Sequence, residues 1–266
     1  MRSITSKNAL ITGGGSGIGL ALAKVLGREG ARIAVASTNR VKIDRAVAEL
    51  TRSRIEAIGI ELDVADPAQW REAVDTVERR LGPIDFLGLN AGVAPPPATV
   101  AETALSVWQW SLGVNLWGVI HGLHACLPRM LARGVPAHVL ITSSIAALNP
   151  KPTMGAYVVA KAGVLQLAEV LRAELDGGPI GISVLTPAAV HTDIVASSKG
   201  HTPVGNDSGY AAIDAALSQG LDPSVVAEYT LARIRDGHFY ILTHNEQRPE
   251  ISHRFAEIIA SMQSSA

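Results

Sequence analysis

Short apolar runs alternate along the chain with longer segments in which apolar residues recur every three or four positions. The runs are almost continuously apolar, which is typical of strands that helices cover on both faces of a parallel sheet. They predict strands at residues 9–11, 33–36, 58–60, 86–89, 139–141 and 182–185, with a late strand at 239–242. The segments between them predict helices at residues 20–28, 41–52, 67–81, 105–131 and 155–175, with a terminal helix at 254–262.

This alternation predicts an α/β fold: a Rossmann-type, doubly wound parallel sheet with helices on both faces. No low-complexity linker and no repeat of fixed period interrupts the pattern, so we expect one domain over residues 1–266. The exception is the segment 193–220, which is polar and rich in Gly and Ser at first and rich in Ala afterwards. Such a segment predicts a mobile insertion that serves as a substrate lid.

Composition narrows the classes of function. The 266 residues are 47% hydrophobic and 18% charged, enough to bury a large core, and the net charge of −1 leaves no basic excess for nucleic acid. No apolar stretch reaches the roughly 18 residues that a membrane span needs, and the first residues lack the apolar core of a secretory signal. The one cysteine, Cys126, agrees with a reducing compartment. We therefore expect a cytoplasmic protein without a membrane or nucleic-acid partner.

A glycine-rich turn follows the first predicted strand and precedes the first helix. Glycines there let the chain turn tightly, approach a pyrophosphate and aim helix amides at it. No lysine follows as in a P-loop, so a nucleotide triphosphatase is disfavoured. The alternative is that the glycines only allow a tight backbone turn and bind no ligand. The turn, which begins at Thr12, thus predicts dinucleotide contacts at Gly13, Gly15, Ser16, Gly17, Ile18 and Gly19.

The end of the second predicted strand bears on the choice of dinucleotide. An acidic residue there would bond the ribose 2′-hydroxyl of NAD(H), but the four residues are Ser37, Thr38, Asn39 and Arg40. Their hydroxyls, amide and guanidinium could bind a 2′-phosphate, which favours NADP(H) and leaves NAD(H) possible. The alternative for Arg40 is a solvated residue in the first turn of a helix.

Two further turns follow predicted strands at the same edge of the sheet. Asp63 and Val64 come after the third strand, where they would meet the adenine. Asn90, Ala91 and Gly92 come after the fourth, where they would border the ribose. Either turn alone is also compatible with an ordinary connection.

A tyrosine and a lysine four residues apart are the candidate chemical groups. Tyr157 and Lys161 share one face of a predicted helix, and a nearby ammonium favours the phenolate, so we expect a lowered pKa for Tyr157. Ser144 stands just after the fifth strand, where its hydroxyl could approach them. Tyr157 would then serve as an acid or base. A tyrosine near a lysine on a helix also occurs by chance in many proteins.

These ordered positions resemble the short-chain dehydrogenase/reductase family over nearly the whole chain. The resemblance implies catalytic roles for Asn115, Ser144, Tyr157 and Lys161, with Lys161 also holding the ribose. It further implies nicotinamide contacts at Pro187, Val190 and Thr192. The sequence departs from the family at Ala188, where glycine is usual, at Leu89, where asparagine often stands, and at Ser37, where NAD-preferring members are acidic.

The resemblance implies hydride transfer between a nicotinamide and a small-molecule ketone or secondary alcohol, in a homotetramer or homodimer. Loops near 93–99, 145–154 and 188–220 offer mainly apolar side chains, which favours an apolar or aromatic substrate. Gly209, Tyr210 and residues 238–242 also resemble a branch that contains aryl Cα-alcohol dehydrogenases. The alternatives are an NAD-dependent alcohol dehydrogenase and a cofactor-binding regulator without turnover. No metal site is expected, because His121 and His124 lack further ligands.

Overall fold

The computed structural model of the chain describes residues 4–199, 201–203 and 209–262. Its strands are β1 Asn8–Thr12, β2 Arg32–Ser37, β3 Ala57–Glu61, β4 Phe86–Leu89, β5 Ala137–Thr142, β6 Ile180–Thr186 and β7 Tyr240–Leu242. Its α-helices are α1 Gly17–Arg28, α2 Arg40–Arg52, α3 Pro67–Leu81, α4 Leu105–Leu112, α5 Gly118–Arg133, α6 Gly155–Glu174, α7 Ile194–Lys199, α8 Tyr210–Ser218, α9 Pro223–Arg235 and α10 Arg248–Ala260.

The described strands form one seven-stranded sheet in the order β3-β2-β1-β4-β5-β6-β7, and every neighbouring pair is parallel. This confirms the predicted α/β fold with a Rossmann-type parallel sheet. The strand order reverses between β1 and β4, and in such sheets a crevice opens at that point beyond the carboxyl ends of the strands. The candidate residues that follow strands therefore share one edge of the sheet.

Two apolar cores separate the sheet from its two helical layers. One contains buried side chains of α1, α2 and α9, and the other contains those of α3, α5 and α6. Trp70 anchors the second core, where it is fully buried and donates its indole N–H to the Val64 carbonyl at 3.0 Å. Burial on both faces explains why the central strands read as nearly continuous apolar runs.

The long helix predicted at residues 105–131 is interrupted. It consists of α4, a π-helical turn Gly113–Trp117 and α5. Apolar periodicity does not reveal a π turn, because the insertion of one residue changes the hydrogen bonding more than the spacing of side chains. The turn contains Asn115, so the interruption falls at a candidate catalytic position.

The predicted insertion at 193–220 contains the short helices α7 and α8. Residue 200 and residues 204–208 of that segment lie outside the described residues. Among the residues described, no helix combines the length and the apolar character needed to cross a bilayer.

Candidate active site

Thr12 joins the two strands on either side of the crevice. Its hydroxyl donates to the Gly88 carbonyl at 3.3 Å and accepts from the backbone N–H groups of Asn90 at 2.9 Å and Ala91 at 3.1 Å. The Asn90 side chain donates back to the Thr12 carbonyl at 3.2 Å. The glycine turn after β1 and the turn after β4 are therefore fixed to each other.

The glycine turn has the features that a pyrophosphate group requires. Gly13 and Gly17 adopt φ values of +64° and +53°, which residues with side chains disfavour, and a Cβ at Gly19 would collide with the Gly13 carbonyl oxygen. Within the described residues, no side chain caps the α1 N-terminus at Ser16, and the first turn holds no acidic residue. The uncapped amides and the close backbone fit an anionic group at this end of the helix.

The residues from the end of β2 to the start of α2 bond mainly to one another and to the first turns of α2. The Ser37 hydroxyl accepts from the Asn39 N–H at 3.2 Å, and the Asn39 side chain caps α2 by accepting from the Lys42 N–H at 3.0 Å. The Arg40 side chain is 67% exposed and its Nε lies 3.0 Å from an Asp44 carboxylate oxygen. The guanidinium is thus paired within α2, an arrangement that the sequence interpretation did not consider.

A carboxylate that the sequence interpretation missed lies beside this turn. Glu61 pairs with Ser37 in the parallel register of β2 and β3, and its charge helps the Asp44 carboxylate raise the pKa of Arg40. The signal was available in principle, because parallel pairing brings the end of the third strand next to the end of the second. It required the register, which the sequence does not specify.

Asp63 and Val64 form a tight turn at the end of β3. One Asp63 carboxylate oxygen accepts from the Ala65 N–H at 2.9 Å. The Val64 carbonyl accepts from Trp70 and lies 3.2 Å from the His121 Nδ1 atom. His121 is therefore engaged with the backbone, and the described residues hold no group of three or more His, Cys, Asp or Glu side chains suited to a metal ion.

Asn115 is fully buried in the π turn and holds a loop at the crevice. Its side-chain oxygen accepts from the Val93 N–H at 3.0 Å, and its amide donates to the Val93 carbonyl at 3.0 Å and to the Ser111 hydroxyl at 3.2 Å. A Cβ at Gly92 would lie 2.9 Å from the Asn115 side-chain oxygen and 3.5 Å from the Lys161 ammonium. Asn115, Gly92 and Lys161 are thus brought together.

Ser144, Tyr157 and Lys161 meet where β5 ends beside α6. Tyr157 shares a side-chain hydrogen bond with Ser144, and the Lys161 ammonium lies 5.9 Å from the centre of the Tyr157 ring. Lys161 is 3% exposed and donates to the Thr142 carbonyl at 2.9 Å. The Ser143 hydroxyl donates to the Lys161 carbonyl at 2.8 Å and fixes α6 against β5.

Burial controls the ionisation of the tyrosine and lysine. It raises the pKa of Tyr157 above its ordinary value, and the hydrogen bond with Ser144 opposes this by a smaller amount. The expectation that Lys161 lowers the pKa of Tyr157 is therefore wrong for the chain by itself, because desolvation of the phenolate dominates. Burial likewise lowers the pKa of Lys161 to about 8.

The segment that follows β6, from Pro187 to Thr192, contacts the Ser144 region at its start and the glycine turn at its end. The Pro187 carbonyl accepts from the Ile145 N–H at 2.9 Å and lies 3.5 Å from the Ser144 hydroxyl. Val190 is 2% exposed, and the Thr192 methyl would lie 3.0 Å from a Cβ on Gly17. Ala188, where the family usually has glycine, is not among the described residues with positive φ, so its Cβ imposes no backbone strain.

The segment that includes α7 and α8 packs against the loop after β4. The Ser198 hydroxyl accepts from the Ala94 N–H at 2.9 Å, and the Tyr210 hydroxyl donates to the Ala94 carbonyl at 2.9 Å. The Lys42 ammonium, which the sequence interpretation did not single out, donates to the Ser197 hydroxyl at 2.7 Å. These contacts tie the described part of the predicted lid to both ends of the crevice.

Comparison with known proteins gives consistent matches over the chain. A family model described as short chain dehydrogenase matches residues 7–212. A Cα-dehydrogenase of Sphingobium sp. strain SYK-6 is 34% identical over 269 residues, covering 98% of this chain and 88% of the relative. Solved structures match as well, and two of them are described next.

The first solved structure is a short chain dehydrogenase/reductase from Burkholderia phymatum in complex with NAD. It is 32% identical, with a TM-score of 0.92 over 100% of this chain and 99% of that one. The second is a variant of actinorhodin polyketide ketoreductase with NADPH, which is 28% identical with a TM-score of 0.78 over 91% of this chain and 97% of that one. The two similar folds thus hold different dinucleotides.

Proposed function

This chain belongs to the short-chain dehydrogenase/reductase family, and on that premise we propose that it transfers a hydride between NADP(H) and an apolar or aromatic ketone or secondary alcohol. Membership makes it an oxidoreductase that acts on CH–OH or C=O groups. The observation that carries the proposal is the meeting of Ser144, Tyr157 and buried Lys161 at the end of β5. A bound nicotinamide ring supplies the hydride donor or acceptor.

Tyr157 moves the proton at the substrate oxygen. Because burial raises its pKa, the phenol remains protonated at neutral pH and can donate to a carbonyl oxygen as the alcohol forms. In the reverse direction the phenolate accepts the proton of the alcohol. Ser144, which already hydrogen-bonds the phenol, orients the same substrate oxygen.

Lys161 supports the proton transfer at Tyr157. One of its N–H groups is committed to the Thr142 carbonyl, which leaves two donors for the ribose hydroxyls and for water. Asn115 holds the Val93 loop beside it and, as the family resemblance implies, a water that connects Lys161 with solvent. The group therefore has a route for proton exchange.

We assign the residues that bind the cofactor by their positions around the crevice. The glycine turn and its uncapped helix hold the pyrophosphate, the turns after β2, β3 and β4 hold the adenosine, and the segment after β6 borders the nicotinamide. The proposed contacts are Gly13, Gly15, Ser16, Gly17, Ile18, Gly19, Ser37, Thr38, Asn39, Arg40, Asp63, Val64, Asn90, Ala91, Gly92, Tyr157, Lys161, Pro187, Val190 and Thr192.

The choice of NADP(H) is supported by the residues from Ser37 to Arg40, none of which is acidic. NAD(H) is the second candidate, and it is favoured by two features of the structure. The Arg40 guanidinium already forms an ion pair with Asp44, and Glu61 lies beside Ser37, at the position where a 2′-phosphate would bind. Titration of the protein with NADPH and NADH side by side decides between them, since stronger binding of NADH would contradict the first choice.

An apolar or aromatic substrate is supported by the walls of the crevice. The loops near 93–99, 145–154 and 188–220, which we expect to border the substrate, offer mainly apolar side chains; these include Val93, Ala94, Pro95, Ile145, Leu148, Met154 and Ile194. Similarity to the Cα-dehydrogenase of Sphingobium also supports this proposal. We further propose one domain, with a lid at 193–220, in a homotetramer or homodimer.

The decisive experiment follows the absorbance of the reduced nicotinamide with a panel of aryl and alkyl ketones and alcohols. Polar sugar phosphates serve as the comparison set. Turnover of aryl or alkyl carbonyls, lost in Tyr157→Phe, is the expected result. Dinucleotide binding without turnover on any member of the panel would contradict the proposal and favour a regulator.

A further inference from the structure

His244 stands directly across from the segment that borders the proposed nicotinamide position. Strands β6 and β7 pair in parallel, with Val184 opposite Tyr240 and Thr186 opposite Leu242. The same register carried two residues further places Ala188 opposite His244. The half-buried imidazole therefore emerges at the carboxyl edge of the sheet, beside the main chain of Ala188 and Ala189.

The imidazole contacts the backbone of two consecutive residues, Ala188 and Ala189. Its Nδ1 accepts from the Ala188 N–H at 3.2 Å, and its Nε2 lies 3.0 Å from the Ala189 carbonyl oxygen. A backbone N–H can only donate and a carbonyl can only accept, so the two contacts assign the neutral tautomer with its proton on Nε2. The Thr243 hydroxyl, 2.7 Å from Nδ1, adds a third contact to the ring.

His244 acts on the middle of a segment whose ends are already held. Towards Ser144, the Pro187 carbonyl accepts from Ile145. Towards the glycine turn, the Ala189 carbonyl also accepts from the Leu221 N–H at 3.0 Å, and the His191 N–H donates to the Leu221 carbonyl at 2.9 Å. Of these described contacts, only the imidazole binds the Ala188 N–H.

We propose that His244 is a positioning residue, which fixes the Ala188–Ala189 main chain and thereby the nicotinamide end of the bound dinucleotide. The inference rests on the proposed function, because that function places the nicotinamide along this segment. His244 lies beyond residue 212, where the match to the family model ends. It also explains how alanine serves at position 188: the imidazole, rather than glycine flexibility, determines the path of the chain.

The test compares three substitutions of His244, which differ in whether they keep the contact with the Ala188 N–H or the contact with the Ala189 carbonyl. His244→Asn places an acceptor near Nδ1 and keeps a partner for the Ala188 N–H. His244→Gln places a donor near Nε2 and keeps only the Ala189 contact, and His244→Leu keeps neither. His253→Leu is the matched control, since His253 is an exposed histidine on α10 whose partner is Glu257.

The readout separates the two ends of the dinucleotide. We expect His244→Leu to weaken binding of the reduced dinucleotide about tenfold, as loss of a hydrogen bond that leaves the half-buried Ala188 N–H without its partner would do. Affinity for the matching ADP-ribose fragment, which lacks the nicotinamide and carries the 2′-phosphate when NADPH is the dinucleotide, should stay within about twofold. His244→Asn should restore most of the difference and His244→Gln less of it. In turnover, kcat should fall more than the KM of the substrate rises.

Equal losses for the reduced dinucleotide and ADP-ribose would overturn the proposal, as would unchanged binding of both in all three variants. If His244→Leu does not fold, the contrast between His244→Asn and His244→Gln decides by the same criterion. The proposed function is judged separately, by turnover of the wild-type protein. A selective loss of nicotinamide-end affinity in an inactive wild type would support His244 while rejecting the substrate reaction.

Discussion

The ammonium of Lys161 lies 5.9 Å from the centre of the Tyr157 ring, one helical turn away on α6. It does not lower the pKa of the phenol below its ordinary value, because both groups are withdrawn from water and burial dominates each pKa. The phenol is consequently protonated at neutral pH. The lysine, with a pKa of about 8, stays largely protonated there.

Tyr157→Phe removes the hydroxyl while keeping the ring that packs beside Lys161. We expect kcat to fall by about a thousandfold, in the range that loss of a general acid or base produces, with dinucleotide affinity almost unchanged. Steady-state kinetics and a binding titration measure the two quantities. Tyr229→Phe, on the exposed side of α9, is the control and should retain full turnover. A Tyr157→Phe enzyme as active as the wild type would reject the mechanism.

The pH dependence should differ between the two directions. Below its raised pKa, Tyr157 is protonated, so carbonyl reduction should proceed well at neutral pH. Oxidation requires the phenolate, so kcat/KM for an alcohol should increase as the pH rises through the alkaline range. Profiles in both directions test this, and an oxidation rate that is greatest below neutral pH would contradict the assigned role of the phenol.

Arg40 and Asp44 give a test of cofactor preference. If Arg40 binds a 2′-phosphate, Arg40→Ala should weaken the binding of NADPH about tenfold and change the affinity for NADH by less than about twofold. Asp44→Asn releases the guanidinium from its ion pair and should strengthen NADPH binding. The two dissociation constants for each variant are the measurement. Parallel changes for both dinucleotides would show that Arg40 does not read the 2′-phosphate.

His138 predicts a sensitivity to acid. It is 3% exposed, neither ring nitrogen has a hydrogen-bond partner among the described residues, and burial lowers its pKa from 6.5 to about 3. The unfolded chain therefore binds a proton that the folded chain does not, and stability falls as the pH drops from 6.5 towards 3. The slope from this group approaches about 1.4 kcal/mol per pH unit.

His138→Leu should remove that contribution, so the free energy of unfolding, measured by denaturant titration at several pH values, should fall less steeply with acid than in the wild type. His253→Leu, at an exposed histidine, should keep the wild-type slope. Identical slopes for wild type and His138→Leu would mean that the buried imidazole does not control the acid response.

The alternation of strands and helices, and with it the parallel sheet, could be predicted from the amino-acid sequence, because burial on both faces makes each central strand a nearly continuous apolar run. Tyr157 and Lys161 could be identified as candidates because helical spacing brings i and i+4 together without any knowledge of the fold, and Ser144 could be identified from its place just after the fifth predicted strand. The glycine turn was recognisable because backbone geometry restricts that position to residues without a Cβ.

Features that depend on residues distant in the sequence became visible only in the folded chain. The pKa direction of Tyr157 follows from how much water the packed α6 excludes, and the pairing of Arg40, the approach of Glu61 to Ser37 and the π turn at Asn115 follow from register and local hydrogen bonding. The contact of His244 with Ala188 joins residues 56 positions apart. Such contacts do not show in the periodicity of the sequence, because hydrogen bonds across a sheet depend on which strands pair and not on the spacing of residues within one strand.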